Sequence, residues 1–208
     1  MPPVNFRLLL VTDRHQVQGR SLSTALQHAV QAGVQAIQLR ERDLSTGELL
    51  SLAKEIQAMT TSRSVSLIVN DRVDLAMALD LQGVHLRSNS LSSRSVRSIV
   101  GSDRLIGVST HSAEDVRRAS QDGADYVVLG PIFDTPSKRS FGAPLGLDIL
   151  TEVCRYSPIP VFAIGGVTSA RVRDVRQAGA YGVAVIGALL ARDDIGTAVR
   201  EFMHVLDA

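Results

Sequence analysis

The sequence predicts an α/β fold, a single (β/α)8 barrel over residues 1–208, and three observations predict it. Short, wholly apolar runs alternate with longer amphipathic ones about eight times along the chain. The strings QAGVQAIQL, QDGADYVVL and QAGAYGVAV repeat one junction, a helix end, a glycine stop and then a strand. The strands are apolar along their length, so they need cover on both faces, as parallel strands do. An open doubly wound sheet is the competing arrangement. It carries a glycine fingerprint after its first strand, and VTDRHQVQGR has none.

The elements follow in order. FRLLLVTD, from Phe6, reads as a buried strand, and LSTALQHAVQAGV as a helix ending near Gly33. QAIQLRER is the second strand. The helix STGELLSLAKEIQAM opens on Ser45 with Glu48 three residues on, the spacing of a capping box. VSLIVND, GVHL, LIGVST, DYVVLG, PVFAIGG and YGVAVIG are strands three to eight. The segments between and after them are RVDLAMAL, SSRSVRSIV, SAEDVRRASQDG, GLDILTEVCRY, TSARVRDVRQAG and IGTAVREFMHVL, each with apolar residues at helical spacing. Eight such units in one chain of this length make a compact TIM barrel.

Composition narrows the function classes. The 208 residues, 45% hydrophobic, suffice for one substantial core and not for two comfortable domains. A net charge of +1 supplies no field for nucleic acid or a membrane surface. Trp is absent and aromatics are 4% of the chain, which disfavours a base-stacking platform. The single Cys154 rules out an intramolecular disulfide and a cysteine metal cage and suits a reducing compartment. The opening MPPVNFRLLLVTDR has too short an apolar run for a signal peptide, and no stretch could span a bilayer. A cytoplasmic protein is expected, and self-association into a homo-oligomer is compatible with the sequence.

In a barrel the chemistry sits where strands end and βα loops begin. Strand two ends in Gln38, Arg40 and Arg42, which alternation would place on one side, with Leu39 and Glu41 on the other. Two inward guanidiniums need an anionic partner, either a bound phosphate or internal carboxylates that brace the barrel. Strand three ends in Asn70 and Asp71. On its own Asp71 reads first as the N-cap of the next helix, and second as a hard-cation ligand. His85, at the end of strand four, reads as a packed or hydrogen-bonded barrel residue. Ser109 could hydrogen-bond a substrate, and His111 reads as a helix-start residue; no nucleophile–base–orienter set points to a serine hydrolase. Strands seven and eight end in Gly165–Gly166 and Ile186–Gly187. Such glycine loops in the last two units are either plain turns or a backbone phosphate site. Strand six feeds the loop DTPSK, whose Thr135, Ser137 and Lys138 are either solvated coating or a hand for phosphate oxygens. Arg40, Arg42 and Lys138 would form a cationic cluster and the glycine loops a second anion site. Two such sites suggest two phosphorylated molecules, or one that bears phosphate and another anionic group.

The pieces LLLVTDR, QLRER, IVNDRVDLA, GVHL, IGVSTH, GADYVVLGPIFDTPSK, PVFAIGG and GVAVIGALL fall in order over nearly the whole chain. Together they resemble the thiamine-phosphate synthase and thiazole tautomerase (TenI-like) superfamily. The resemblance implies a transferase that couples a pyrimidine methyl diphosphate to a thiazole phosphate. The C–O bond breaks first, and the thiazole nitrogen captures the pyrimidine methyl cation while Mg²⁺ and cationic side chains stabilise the leaving diphosphate. It implies catalytic roles for Arg40, Ser109 and Lys138, with Gln38, Arg40, Arg42, Asn70 and Lys138 on the diphosphate side. Thr135, Ser137, Gly166, Ile186 and Gly187 would hold the thiazole phosphate, and Asp71 the magnesium ion.

The chain departs from that pattern at four places. Synthases follow strand four with GQxD, whose Asp is a second magnesium ligand; here the residues are Arg87, Ser88, Asn89 and Ser90. One carboxylate fewer implies weaker Mg²⁺ binding, and Arg87 brings a cation that either replaces some of the metal's charge or faces solvent. Arg42 replaces a usual Lys, and Gly187 a frequent Ser. Loss of the second carboxylate is typical of TenI-like proteins, yet the histidine that follows the strand-six glycine in tautomerases is Pro131 here. The alternatives to the synthase are therefore a thiazole tautomerase and a non-catalytic barrel that binds thiazole or thiamine phosphate.

Overall fold

The computed structural model describes residues 3–135 and 142–207. Eight parallel strands close into a barrel in sequence order, with the eighth paired back on the first. They are β1 (Leu8–Val11), β2 (Ala36–Leu39), β3 (Ser66–Asn70), β4 (Gly83–Leu86), β5 (Leu105–Thr110), β6 (Tyr126–Leu129), β7 (Val161–Ala163) and β8 (Gly182–Val185). The helices are α1 (Leu22–Gln31), α2 (Thr46–Thr61), α3 (Val73–Ala78), α4 (Ser93–Val100), α5 (Ala113–Gln121), α6 (Gly146–Tyr156), α7 (Val172–Gln177), α8 (Gly187–Leu190) and α9 (Ile195–Leu206). Every strand read from the sequence is present. So is every helix, and α8 adds one short turn between β8 and the last helix. Among the described residues no helix is long and apolar enough to cross a membrane.

Local chemistry starts and stops these helices. Ser45 and Glu48 make the expected capping box on α2. Ser21, Ser92, Ser112 and Asp194 accept the N–H three residues on at the starts of α1, α4, α5 and α9. The repeated junction ends in Gly33, Gly123 and Gly179 at φ of 96°, 86° and 93°, a left-handed stop that glycine takes without strain.

Strand parity splits the core in two. Residues such as Leu8, Leu10, Ile37, Leu67 and Val84 face the helices and build the outer layer. Leu9, Ala36, Ile68, Leu105 and Ala184 face inward. Phe6, Tyr126 and Phe162 plug the interior with ring centroids 5.2–5.7 Å apart. The outer layer is braced by one buried ion pair. Asp125, just before β6, accepts the Ile106 N–H at 2.7 Å and Arg97 Nη2 at 2.5 Å.

Candidate active site

Inward parity at the C-terminal ends of the strands delivers Gln38, Asn70, His85 and Ser109 to one mouth. They form an arc of two hydrogen-bonded pairs, Gln38–Asn70 and His85–Ser109. Gln38, 3% exposed, donates from Nε2 to Asn70 Oδ1 at 3.0 Å. The His85 ring bonds Ser109 Oγ through Nε2 at 2.9 Å and the Tyr126 hydroxyl through Nδ1 at 3.2 Å. The second bond spans a strand. His85, Gly107 and Tyr126 are register partners across β4, β5 and β6, and Gly107 leaves the gap that the two side chains fill. A Cβ there would lie 2.2 Å from Tyr126 Cζ and 2.5 Å from His85 Nδ1. Burial pushes the His85 pKa down to about 3, against a pull upward from Asp71, and the positive charge of Arg40 lowers it further. The imidazole is therefore neutral at physiological pH. Burial also raises the Tyr126 pKa, which keeps the phenol protonated.

The cations stand just outside this arc. β2 stops at Leu39, so alternation does not carry through to Arg42. Arg40 is half-buried, and its N–H donates to Thr12 Oγ1 at 2.8 Å. Its guanidinium donates to no acceptor among the described residues. Burial lowers its pKa, and the positive charges of Arg42 and Arg87 lower it further, with Asp13 and Glu41 pulling the other way. Arg42 is exposed in the following turn. Glu41, expected on the opposite side, is buried at 5%; it accepts the Arg14 N–H at 3.1 Å, and its Oε1 finds no partner among the described residues. The expected three-residue comb is thus two inward groups and an exposed neighbour.

Asp71 does not fill the first of its two readings. Arg72 is the N-cap of α3, with no side-chain cap bond, so Asp71 does not start the helix. It sits at φ 63°, uncommon for a residue with a side chain, with its N–H on His85 O at 2.9 Å. Its Oδ2 accepts Arg87 Nε at 2.5 Å and its Oδ1 accepts the Ser90 hydroxyl. Ser90 Oγ also accepts the Arg87 N–H at 3.1 Å, closing the β4–α4 loop on itself. Magnesium binds through one or two carboxylates in a near-octahedral set of oxygens. The one carboxylate expected to supply it here is taken at both oxygens and matched in charge by a guanidinium, so the arrangement does not fit the ion. Among the described residues no group of three or more His, Cys, Asp or Glu is placed to hold one.

The glycine loops lie at the same end. Gly165 and Gly166 take φ of 95° and 63°. A Cβ on them would strike Pro131 at 2.6 Å and Asp134 O at 2.6 Å, so close packing on the β6–α6 loop already demands glycine there. Arg171 caps the turn, donating to Gly166 O at 2.7 Å and lying 4.5 Å from the Phe133 ring centre. Ile186 precedes Gly187, which opens α8; a Cβ on Gly187 would meet Gln16 Oε1 at 2.5 Å, the movable end of a side chain. Thr135 is half-buried at the end of the described part of its loop. Ser137 and Lys138 lie outside the described residues. His111, as expected, is structural: its Nδ1 is 2.6 Å from Gly130 O and its N–H bonds Asp115.

Cavities lie on two sides of the barrel among the described residues. One of about 200 Å³ opens between the α4 and α5 sides over the ends of β4 and β5, lined by Arg87, Ser90, Ser109, Thr110, Asp115 and Arg118. One of about 560 Å³ is lined by Arg7, Arg173, Arg176 and His204, at the N-terminal end. There Arg7 is bound to Leu206 O, and Arg176 to Ala180 O and Tyr181 O. The smaller cavity touches the polar arc at Ser109 and otherwise runs along α4 and α5.

A family model described as thiamine monophosphate synthase matches residues 8–189. The chain belongs to that family. Thiamine-phosphate synthase from Clostridium novyi is 37% identical over 202 residues, 97% of this chain and 99% of that one. The namesake from Roseiflexus castenholzii is 42% identical, covering 94% and 86%. The solved thiamine phosphate pyrophosphorylase from Pyrococcus furiosus superposes with a TM-score of 0.89 at 30% identity, covering 97% and 96%.

In this member of the thiamine monophosphate synthase family His85 is packed and hydrogen-bonded, as expected, and it also organises the mouth, a role not expected from the sequence. The signal was present in the register: His85 on β4, a glycine on β5 and a tyrosine on β6, at one inward level. Arg87 is legible in the sequence as a cation, but its engagement with Asp71 joins residues 16 apart, and only the closed barrel brings them together.

Proposed function

We propose that this chain couples a pyrimidine methyl diphosphate to a thiazole phosphate, giving thiamine phosphate and diphosphate. The observation that carries the reading is the pairing of a neutral His85–Ser109 unit with the half-buried Arg40 guanidinium, unpaired among the described residues, at one barrel mouth. Breaking the C–O bond sends its electron pair to the departing diphosphate and leaves a positive pyrimidine methyl carbon. Guanidinium groups answer the first charge with planar, charge-assisted hydrogen bonds. The neutral imidazole adds no positive charge beside the second, so the carbon forms among dipoles rather than against a cation. The thiazole nitrogen then donates its lone pair to that carbon and closes the new C–N bond. On this reading Gln38 and Asn70 orient the pyrimidine diphosphate, Ser109 is held toward the reacting carbon by His85, and the loops of Thr135, Gly166 and Gly187 receive the thiazole phosphate. Lys138 and Ser137 complete the roles that the resemblance implies. Pro131, rather than histidine, sides with the synthase over the tautomerase. A cytoplasmic setting is consistent with the free thiol of Cys154.

The test mixes purified protein with both substrates, with and without Mg²⁺, and follows thiamine phosphate by chromatography. No product above background at high enzyme concentration would end the proposal. Isomerisation of the thiazole phosphate carboxylate, followed by NMR, would in that case establish the tautomerase instead.

A further inference from the structure

We propose that Arg87 is a built-in cation standing where a divalent metal would otherwise sit, so that this chain binds diphosphate without a resident metal ion. The inference rests on the transferase reading above and deepens it. Three features of the mouth support it. Asp71, the acid at the end of β3, spends one oxygen on Arg87 and the other on Ser90, so both oxygens a metal would draw on already hold hydrogen bonds and the carboxylate's charge is already matched by a guanidinium. The clamp is also neutral. A dication between two carboxylates and a guanidinium on one carboxylate carry the same net charge, zero. The field at the β3–β4 end can therefore be preserved while a carboxylate and an ion are exchanged for an arginine.

The third feature is orientation. Arg87 presents Nε and Nη2 to Asp71, while its side chain remains 41% exposed at the end of β4, where it lines a cavity that reaches Ser109 and extends between α4 and α5. A guanidinium has five N–H donors, and the edge turned away from Asp71 keeps donors for an anion. The carboxylate fixes that edge, and the loop closure from the Arg87 N–H to Ser90 Oγ fixes the backbone that carries it. Arg40 is close enough that Arg87 disfavours its charge, and its guanidinium, unlike that of Arg87, lacks a partner among the described residues. Two preset guanidiniums at one mouth, the first tethered and the second free, are a receptor for an oxyanion with more than one charged group. Diphosphate is such an anion.

The experiment measures inorganic diphosphate binding to the full chain by calorimetry in EDTA and again in millimolar Mg²⁺, with Mn²⁺ binding followed separately by electron paramagnetic resonance. We expect diphosphate affinity in EDTA within about threefold of that in Mg²⁺, and no Mn²⁺ binding by the parent protein without diphosphate. Arg87→Ala should weaken diphosphate binding in EDTA by about tenfold or more, the loss expected for a charge-assisted contact. The double variant Arg87→Gly/Ser90→Asp should reverse the pattern, binding Mn²⁺ and requiring a divalent ion for diphosphate. Circular dichroism of each variant confirms that it is folded, and should the double variant fail to fold, Arg87→Ala and the parent in EDTA still decide. Diphosphate binding that EDTA abolishes and Mg²⁺ restores, or Mn²⁺ binding by the parent alone, would overturn the inference and leave the transferase reading standing. If neither inorganic diphosphate nor the pyrimidine diphosphate binds with or without metal, both fall together.

Discussion

Gly107→Ala adds one methyl group where the barrel has no room for it. The new carbon would lie 2.2 Å from Tyr126 Cζ, 2.4 Å from the Tyr126 hydroxyl and 2.5 Å from His85 Nδ1. Carbon atoms in contact sit about 3.5–4.0 Å apart, so one of the rings must retreat by more than an ångström. Neither can do so freely. Tyr126 is 0% and His85 1% exposed, and Tyr126 is wedged against Phe6 and Phe162. Overpacking a core costs roughly 1–3 kcal/mol. Separating His85 from Tyr126 strands two buried polar groups and adds roughly 1–3 kcal/mol. A total near 4 kcal/mol lowers the melting temperature of a chain this size by about 8–16 °C. Thermal unfolding by circular dichroism measures the shift. Gly47→Ala is the control: nothing lies within 4 Å of a Cβ there, the site is helical, and the change should stabilise by about 0.4–1 kcal/mol. The same Gly107 variant, assayed well below its melting point, should lose at least about tenfold in thiamine phosphate formation, because the displaced imidazole no longer holds Ser109. A Gly107→Ala protein that melts within about 2 °C of the parent and keeps its turnover would refute the claim that β4, β5 and β6 organise the mouth through this gap.

Three further outcomes are expected. His85 is held neutral with a pKa of about 3, whereas in the unfolded chain it titrates at its ordinary value of 6.5. The unfolded state therefore binds one more proton between these values, and the stability from keeping His85 neutral is full above pH 6.5 and falls as the solution is acidified. The loss should reach about 2 kcal/mol by pH 5, measured by urea unfolding, and His85→Asn should remove that part of the slope. Asp125→Asn leaves Arg97 facing a neutral amide in a buried setting and should destabilise by roughly 3 kcal/mol, seen as a lower urea midpoint with little change in diphosphate affinity. Arg40→Ala should reverse that pattern, weakening diphosphate binding by about tenfold or more in calorimetry while leaving the melting temperature within a few degrees, because the lost guanidinium has no protein partner among the described residues.

The architecture was legible because it is written in patterns that repeat. The junction through Gly33, Gly123 and Gly179 states a backbone requirement three times over, and the capping box at Ser45 and Glu48 states another. The ends of strands are written less clearly. Nothing local says that β2 stops at Leu39, and that stop decides that Arg42 is exposed and Glu41 buried. The double glycine after β7 is ambiguous for a related reason. Its demand comes from Pro131 and Asp134 on the neighbouring loop, about 30 residues away in sequence. The Asp71 clamp illustrates the limit best. A string reading offers a cap or a metal ligand for an Asp at a strand end, and only tertiary contact reveals the third option, an ion pair with the next strand's loop.

Strand order by itself assigns the charges of the mouth to separate sides. In a closed circle of eight strands taken in sequence, β3 lies opposite β7. The side-chain cations Arg40 and Arg87 belong to the β2–β4 side, and the glycine turns at Gly166 and Gly187 to the β7–β8 side. His85 and Ser109 stand at β4 and β5, between the two along one rim. A reaction that joins two phosphorylated molecules needs their anionic ends apart and their reacting atoms together, since the like charges would otherwise oppose the approach. An arrangement with guanidiniums on one side, backbone donors on the other and an uncharged imidazole–hydroxyl pair between them meets that requirement. It also explains why the imidazole must be buried: a protonated His85 would place a third cation beside the carbon that has to become positive.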